Sequence, residues 1–301
     1  MHVAMPATDL RYMDCLPSDC YRGSMDPHRP LRVRDILGWV AEEDRDAFGI
    51  ADIVEQFGVR AQVARDAVAR MAAANQIRPI RRGRYLPLPP NHWYRPDTPL
   101  VADWRIVGKE LVAPDPYFLA YYTAMEVHRM VQHPLTTLFV ATTAQRRPIV
   151  VGPVNYRFVT LTEAKFAFGH EPVQVQRGKA VEIADLERTF LDAVDRPRLC
   201  GGIEEVARGI ARRHEDLERE RLLRYVVELD VTVVTKRLGF LLEIVGHSDT
   251  RLMRELEKRA ARLAGYKPLV PGLDHRVFER NKRWELDINV DPDRLIRAVE
   301  T

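Results

Sequence analysis

The sequence predicts an α+β protein in two parts: a small head of three helices closed by a basic hairpin, then a larger mixed α+β domain with a helical C-terminal part. Three observations predict it. Apolar residues recur at helical spacing from Val33 to Met71. The run IRPIRRGRYLPLP (77–89) then sets four arginines and one glycine among apolar residues. Beyond a proline-rich stretch, short β-rich runs continue as far as Asp185, where the period turns helical.

The head is built in order. LRVRDILGWVAEED places Val33, Ile36, Leu37 and Val40 on one helical face. GIADIVEQFG does the same with Ile50, Ile53, Val54 and Phe57, and Gly58 is placed to end that helix in the left-handed conformation. AQVARDAVARMAAAN then carries the stripe Val63, Ala64, Ala67, Val68 and Met71. Two short helices joined through a glycine turn are the helix-turn-helix pattern. Ile77, Ile80, Tyr85 and Leu86 supply the apolar contacts of a hairpin, with Gly83 at its turn and Pro79 restricting the first strand to a sheet edge. Three helices and a basic hairpin make a winged helix-turn-helix, assigned to residues 29–87. Five prolines between Pro87 and Pro99 mark a linker over 88–99. Residues 1–28 show no period and are read as a disordered arm or an over-called start, with Met25 a candidate beginning.

Residues 100–301 read as one α+β unit. DPYFLAYYTAMEVHRMV is expected to be a helix, and TTLFVATT, PIVVGPVNYRFVTL, AKFAFG and EPVQVQRGKAVEIA to be strands. Five helical segments follow from Asp185, with Asp185 and Asp249 as N-caps, and a late hairpin, HRVFERNKRWELDINV, closes the chain.

A length of 301 residues fits about two domains, and 46% apolar residues provide for a sizeable core. The three cysteines, Cys15, Cys20 and Cys200, form neither a CxxC pair nor a Cys/His cluster, which suits a reducing cytoplasm. No apolar run approaches the ~20 residues of a membrane span, so no membrane partner is expected.

A net charge of only +3 says little by itself. Its placement says more. Between Arg60 and Arg84 there are seven arginines (Arg60, Arg65, Arg70, Arg78, Arg81, Arg82 and Arg84) and one acid, Asp66. Arginine supplies most phosphate contacts to nucleic acid. On the third helix Gln62, Arg65, Asp66, Ala69 and Ala73 lie opposite the buried stripe, where Gln62 and Arg65 could read base edges of double-stranded DNA. Arg70 is also spaced to pair with Asp66. The charge run RGIARRHEDLERERLLR (208–224) reads instead as a solvated helix face. Enzyme signatures are weak: there is no GxxxxGK[ST] loop, no GxSxG elbow and no HExxH. The nearest material for a metal nuclease is ELEK, Glu255 to Lys258, in a helical stretch where paired charges are expected, and WELDINVD adds Glu285, Asp287 and Asp291. No cofactor, metal or catalytic residue is expected.

The order of features resembles the AbiEi family of antitoxins and transcriptional regulators. The pieces that carry the likeness are RRGRY (81–85), ADLERTFLDAVDRPRLCGG (184–202), TKRLGFLLE (235–243) and NKRWELDINV (281–290). The second is the most specific and contains Glu187, Arg188, Asp192, Arg196, Pro197, Gly201 and Gly202. The resemblance implies a type IV toxin–antitoxin system. In it the chain would repress its own operon at inverted repeats and neutralise a nucleotidyltransferase toxin through the C-terminal domain, without a required stable complex. From the residues alone, that same run reads first as a structural joint, because Leu186, Phe190, Leu191 and Val194 form a buried stripe and Arg188 is spaced to meet Asp192. A toxin- or RNA-facing surface is the other reading. The alternatives for the whole chain are a stand-alone regulator with a ligand-sensing or dimerising C-terminal domain, and a DNA-targeted nuclease.

Overall fold

The computed structural model describes residues 31–94, 103–132, 136–176, 178–273 and 276–300. The chain divides into two compact units, residues 1–98 and 99–301. The expected arm over 1–28, with Cys15 and Cys20, lies outside the described residues, as does the second half of the proline-rich stretch. The protein is mixed α+β, with a helical part toward the C-terminus.

The first unit runs α1 (Val33–Glu42), β1 (Phe48–Gly49), α2 (Ile50–Phe57), α3 (Ala61–Ala73), β2 (Ile77–Arg81), β3 (Arg84–Pro87) and α4 (Pro90–Trp93). The apolar stripes of α1, α2 and α3 meet around Trp39, whose ring stands edge-on to Phe48 and Phe57. Gly58, at φ +62°, ends α2 and returns its N–H to the Val54 carbonyl at 2.9 Å. The three strands are antiparallel in the order β1-β3-β2, so Pro79 does lie on an edge strand, where its missing N–H costs no ladder bond. Leu88 is buried and donates its N–H to the Gln76 carbonyl at 2.8 Å, and Trp93 Nε1 donates to the Leu88 carbonyl at 2.7 Å. Pro90 opens α4 from the first-turn position, where no donor is needed.

The second unit begins with α5 (Trp104–Val112), β4 (Tyr117–Leu119), α6 (Tyr122–Val127), β5 (Thr137–Thr142), β6 (Ile149–Val151), β7 (Val154–Thr160), α7 (Glu163–Phe166), β8 (His170–Gln176) and β9 (Lys179–Ala184). Its six-stranded mixed sheet has the order β6-β7-β5-β4-β9-β8, with the β5–β7 and β4–β9 pairs parallel. There follow α8 (Leu186–Asp195), α9 (Ile203–Arg213), α10 (Arg219–Leu229), α11 (Thr232–Ile244), α12 (Thr250–Ala260), β10 (Lys267–Pro268), β11 (Glu279–Asn281), β12 (Leu286–Ile288) and α13 (Pro292–Glu300). The last three strands form a small sheet in the order β10-β12-β11.

Three sequence expectations fail here. The helix expected over DPYFLAYYTAMEVHRMV is a strand and a short helix, because Tyr117–Leu119 is needed in the middle of the sheet between β5 and β9. A short apolar run buried on both faces has no period to distinguish strand from helix. AKFAFG is not a strand: Thr162 caps α7, accepting from the Lys165 N–H at 3.4 Å. The late hairpin does not close the chain, since α13 follows it.

Candidate nucleic-acid interface

The outer face of α3 carries Gln62, Arg65, Asp66, Ala69 and Ala73, all exposed. Three of these side chains form a chain of hydrogen bonds. Gln62 Nε2 donates to Asp66 Oδ1 at 2.8 Å, and Arg65 Nη1 donates to Gln62 Oε1 at 3.2 Å. Gln62 therefore stands between an acid and a base, with its amide orientation set by both. The expected Asp66–Arg70 pair does not form. Arg70 Nη2 reaches instead to the Leu31 carbonyl at 3.1 Å, fastening α3 to the chain that enters α1. Arg60 is exposed at the N-cap of α3.

In the β2–β3 hairpin Arg81 faces Arg84 across a two-residue turn of Arg82 and Gly83. Gly83 has φ +75°, a conformation in which a side chain is strained. Arg82 is exposed at the tip, while Arg78 and Arg81 are half-buried and each has an interaction partner. Arg84 has an internal role. Its Nη1 donates to Asp52 Oδ2 at 2.7 Å, and the same oxygen accepts the Gly49 N–H at 2.8 Å. Asp52 thus caps α2 and anchors the hairpin together. Sequence reading overlooked it, although an Asp three residues after a helix N-cap is a recognisable signal. Gly49 is fixed by the same joint, since a Cβ there would lie 2.7 Å from the Gly83 carbonyl oxygen.

The run from Asp185 to Gly202 lies mostly inside the second unit. Asp185 caps α8 through the Arg188 N–H at 2.8 Å and accepts the Tyr225 hydroxyl at 2.7 Å. Arg188 is 1% exposed. Its Nε donates to Asp192 Oδ1 at 2.9 Å, and its Nη1 donates to the carbonyls of Lys165 at 2.8 Å and Phe168 at 2.9 Å. Its guanidinium also lies over the Phe168 ring, 4.6 Å from the centroid. Gly169 makes room: a Cβ there would sit 2.7 Å from that of Arg188. Glu187 Oε1 accepts the Glu218 N–H at 2.7 Å. Burial pushes the Asp192 carboxyl above the usual carboxylate range, against the pull of Arg188. Arg188 and Glu187 therefore tie α8 to the Lys165 and Phe168 carbonyls and to the start of α10, with Asp192 buried beside Arg188. Arg196 is half-buried, Pro197 is buried, and Gly201 and Gly202 take φ +82° and +98° between the Pro197–Leu199 turn and α9.

The charge run 208–224 is broken by a turn at 214–216 rather than forming one solvated face. Arg212 and Arg213 donate across to the Met130 and His128 carbonyls at 3.0 and 2.6 Å. Glu285 pairs with Lys236 and Asp287 with Arg280. Among the described residues no group of three His, Cys, Asp or Glu is placed to hold a metal. Among them, too, no helix is long and apolar enough to cross a membrane.

These features define a mixed α+β protein whose first unit leaves Arg60 and Arg65 exposed at α3 and Arg82 exposed on a hairpin tip. No family model matches the chain, and no curated protein sequence does. Its architecture is similar to that in the crystal structure of RV2827C protein from Mycobacterium tuberculosis. The TM-score is 0.63 over 89% of this chain and 94% of that one, at 12% identity. At that identity the likeness is one of fold.

Proposed function

We propose that the first unit is a winged helix-turn-helix that binds double-stranded DNA, and that the chain is the antitoxin and autorepressor of a type IV toxin–antitoxin system. The observation that carries the DNA reading is the exposed face of α3, where Gln62 and Arg65 sit beside small alanines, with Arg60 at the helix start and Arg82 on a hairpin tip. Alanines allow close approach to a groove, Gln and Arg read base edges, and the flanking arginines meet phosphates. Arg84 and Arg70 support the interface from behind through Asp52 and the Leu31 carbonyl. The antitoxin reading rests on the sequence resemblance over 184–202. The nucleotidyltransferase toxin is a functional partner, and no catalytic step is assigned to this chain.

Growth of cells expressing the neighbouring gene, with and without this chain, tests the antitoxin role. Rescue is expected when both are expressed from unrelated promoters. A neighbouring gene that is harmless alone, or toxicity unaffected by the chain, contradicts it.

A further inference from the structure

On the outer face of α3 one residue is not explained by attraction to phosphate. Asp66 is the only acid between Arg60 and Arg84, and it is exposed. Among the described residues it has no ion-pair partner, and its one hydrogen bond is the one that Oδ1 accepts from Gln62 Nε2 at 2.8 Å. Oδ2 is left as an open acceptor. A carboxylate turned toward phosphates would repel them, so on this face it needs a donor opposite it.

Gln62 also ties the acid to Arg65, whose Nη1 donates to Gln62 Oε1 at 3.2 Å. A carboxylate can only accept and a guanidinium can only donate, so a single orientation of the amide between them serves both. The rest of the Arg65 fork remains free to donate outward. The triad therefore offers a set of donors on Arg65 and an acceptor on Asp66, held in relation to one another before any ligand arrives. Ala69 and Ala73, exposed one and two turns beyond Arg65, put no bulk in the way of a groove.

The edges of bases in the major groove answer this pattern selectively. Guanine presents two acceptors, O6 and N7, which a guanidinium fork meets together. Cytosine presents the N4 amine, which a carboxylate accepts. The amine of adenine stands beside the N7 acceptor, which faces a carboxylate unfavourably, and thymine presents an acceptor and a methyl group. Paired reading of adenine by Gln62 would call on the amide oxygen and nitrogen that Arg65 and Asp66 already hold. We propose that the triad reads guanine and cytosine: Arg65 donates to guanine O6 and N7, Asp66 Oδ2 accepts from a cytosine N4 amine, and Gln62 positions both. This rests on the reading of the first unit as a DNA-binding element. It divides the work given there to Gln62 and Arg65 together, with Arg65 as reader and Gln62 as positioning residue.

Selection of binding sites by the full chain from a pool of random duplexes, followed by sequencing of those retained, tests it. The natural chain should enrich a guanine and a cytosine. Replacing that guanine by adenine in a selected duplex should weaken binding roughly 5- to 150-fold. Arg65→Ala should abolish the guanine preference. Asp66→Asn should abolish the cytosine preference, because an amide donates as well as accepts. Gln62→Leu should weaken both preferences together, whereas a residue that only supported the fold would lower affinity for all duplexes alike. The three side chains are exposed, and an unaltered melting temperature checks that each variant folds. An enriched adenine that is lost in Gln62→Leu, or a guanine preference that survives Arg65→Ala, would overturn the proposal. Salt-sensitive binding of duplexes with no base enriched would overturn it while leaving the DNA reading in place. Failure to bind any duplex would remove both.

Discussion

Removing the Arg188 guanidinium would leave the Asp192 carboxyl buried with neither oxygen paired, since its Oδ2 already has no partner. Breaking a buried pair by deleting one member costs about 3–5 kcal/mol. Arg188→Ala should therefore lower the melting temperature of the second unit by roughly 10 °C, at about 2–4 °C per kcal/mol for a unit of this size. Replacing both partners, Arg188→Met with Asp192→Leu, should recover much of that loss, because it removes the stranded charge. A double variant no better than the single one would show that the carbonyl bonds of Arg188 matter more than its pairing with Asp192. A second residue sets a pH dependence. His247 and His214 meet Nδ1 to Nδ1 at 3.2 Å, and burial, then the His214 charge, holds the His247 pKa below its ordinary 6.5. Asp249 and Glu215 oppose this without reversing it. The unfolded chain then binds a proton that the folded chain refuses, so stability falls as pH drops below about 6.5. Urea titrations at several pH values should show that slope, and His247→Gln should reduce it. An unchanged slope in the variant would place the dependence elsewhere.

At the scale of elements, the β2–β3 hairpin depends on one side chain from α2. Asp52 accepts from Gly49 and Arg84 together, and both it and Arg84 are only partly shielded from water. Asp52→Ala should cost about 1–2 kcal/mol, mostly from the missing helix cap with a modest ion-pair contribution. The same change should raise hydrogen exchange in β3 more than in α1. Uniform exchange across the first unit would mean that Asp52 only caps α2. Local signals make much of this region legible from sequence. Gly58 and Gly83 adopt the backbone conformations their neighbours require, and Asp185 and Asp249 cap α8 and α12. The Arg84–Asp52 joint spans 32 residues and the Glu187–Glu218 bond 31, and pairings that distant leave no local pattern to read. β4 is illegible for another reason: Phe118 and Leu119 point to opposite faces of the strand and both are buried, so its burial does not alternate. α13 does leave a signal, Asp291 before Pro292, but it merges with the hairpin pattern that precedes it.

Across the whole molecule, the charges divide into two populations. In the second unit most arginines flanking α8 to α10 are engaged by internal carbonyls and carboxylates, as Arg188, Arg212, Arg213, Arg219 and Arg221 illustrate. The charge run at 208–224 resembles a surface in sequence because the chain alone does not reveal which carbonyls lie opposite. In the first unit the candidate interface keeps Arg60, Arg65 and Arg82 exposed, and Arg70 and Arg84 serve its frame. The central claim is that Arg60 and Arg82 meet DNA phosphates. Its most direct test is the dependence of affinity on salt for duplex DNA from upstream of the protein's own gene, compared between the natural chain and Arg60→Ala with Arg82→Ala. Log affinity should fall linearly with log salt concentration, and the double variant should flatten that slope by about 0.9 for each phosphate no longer neutralised. Binding that ignores salt, or a slope unchanged in the double variant, would contradict the account.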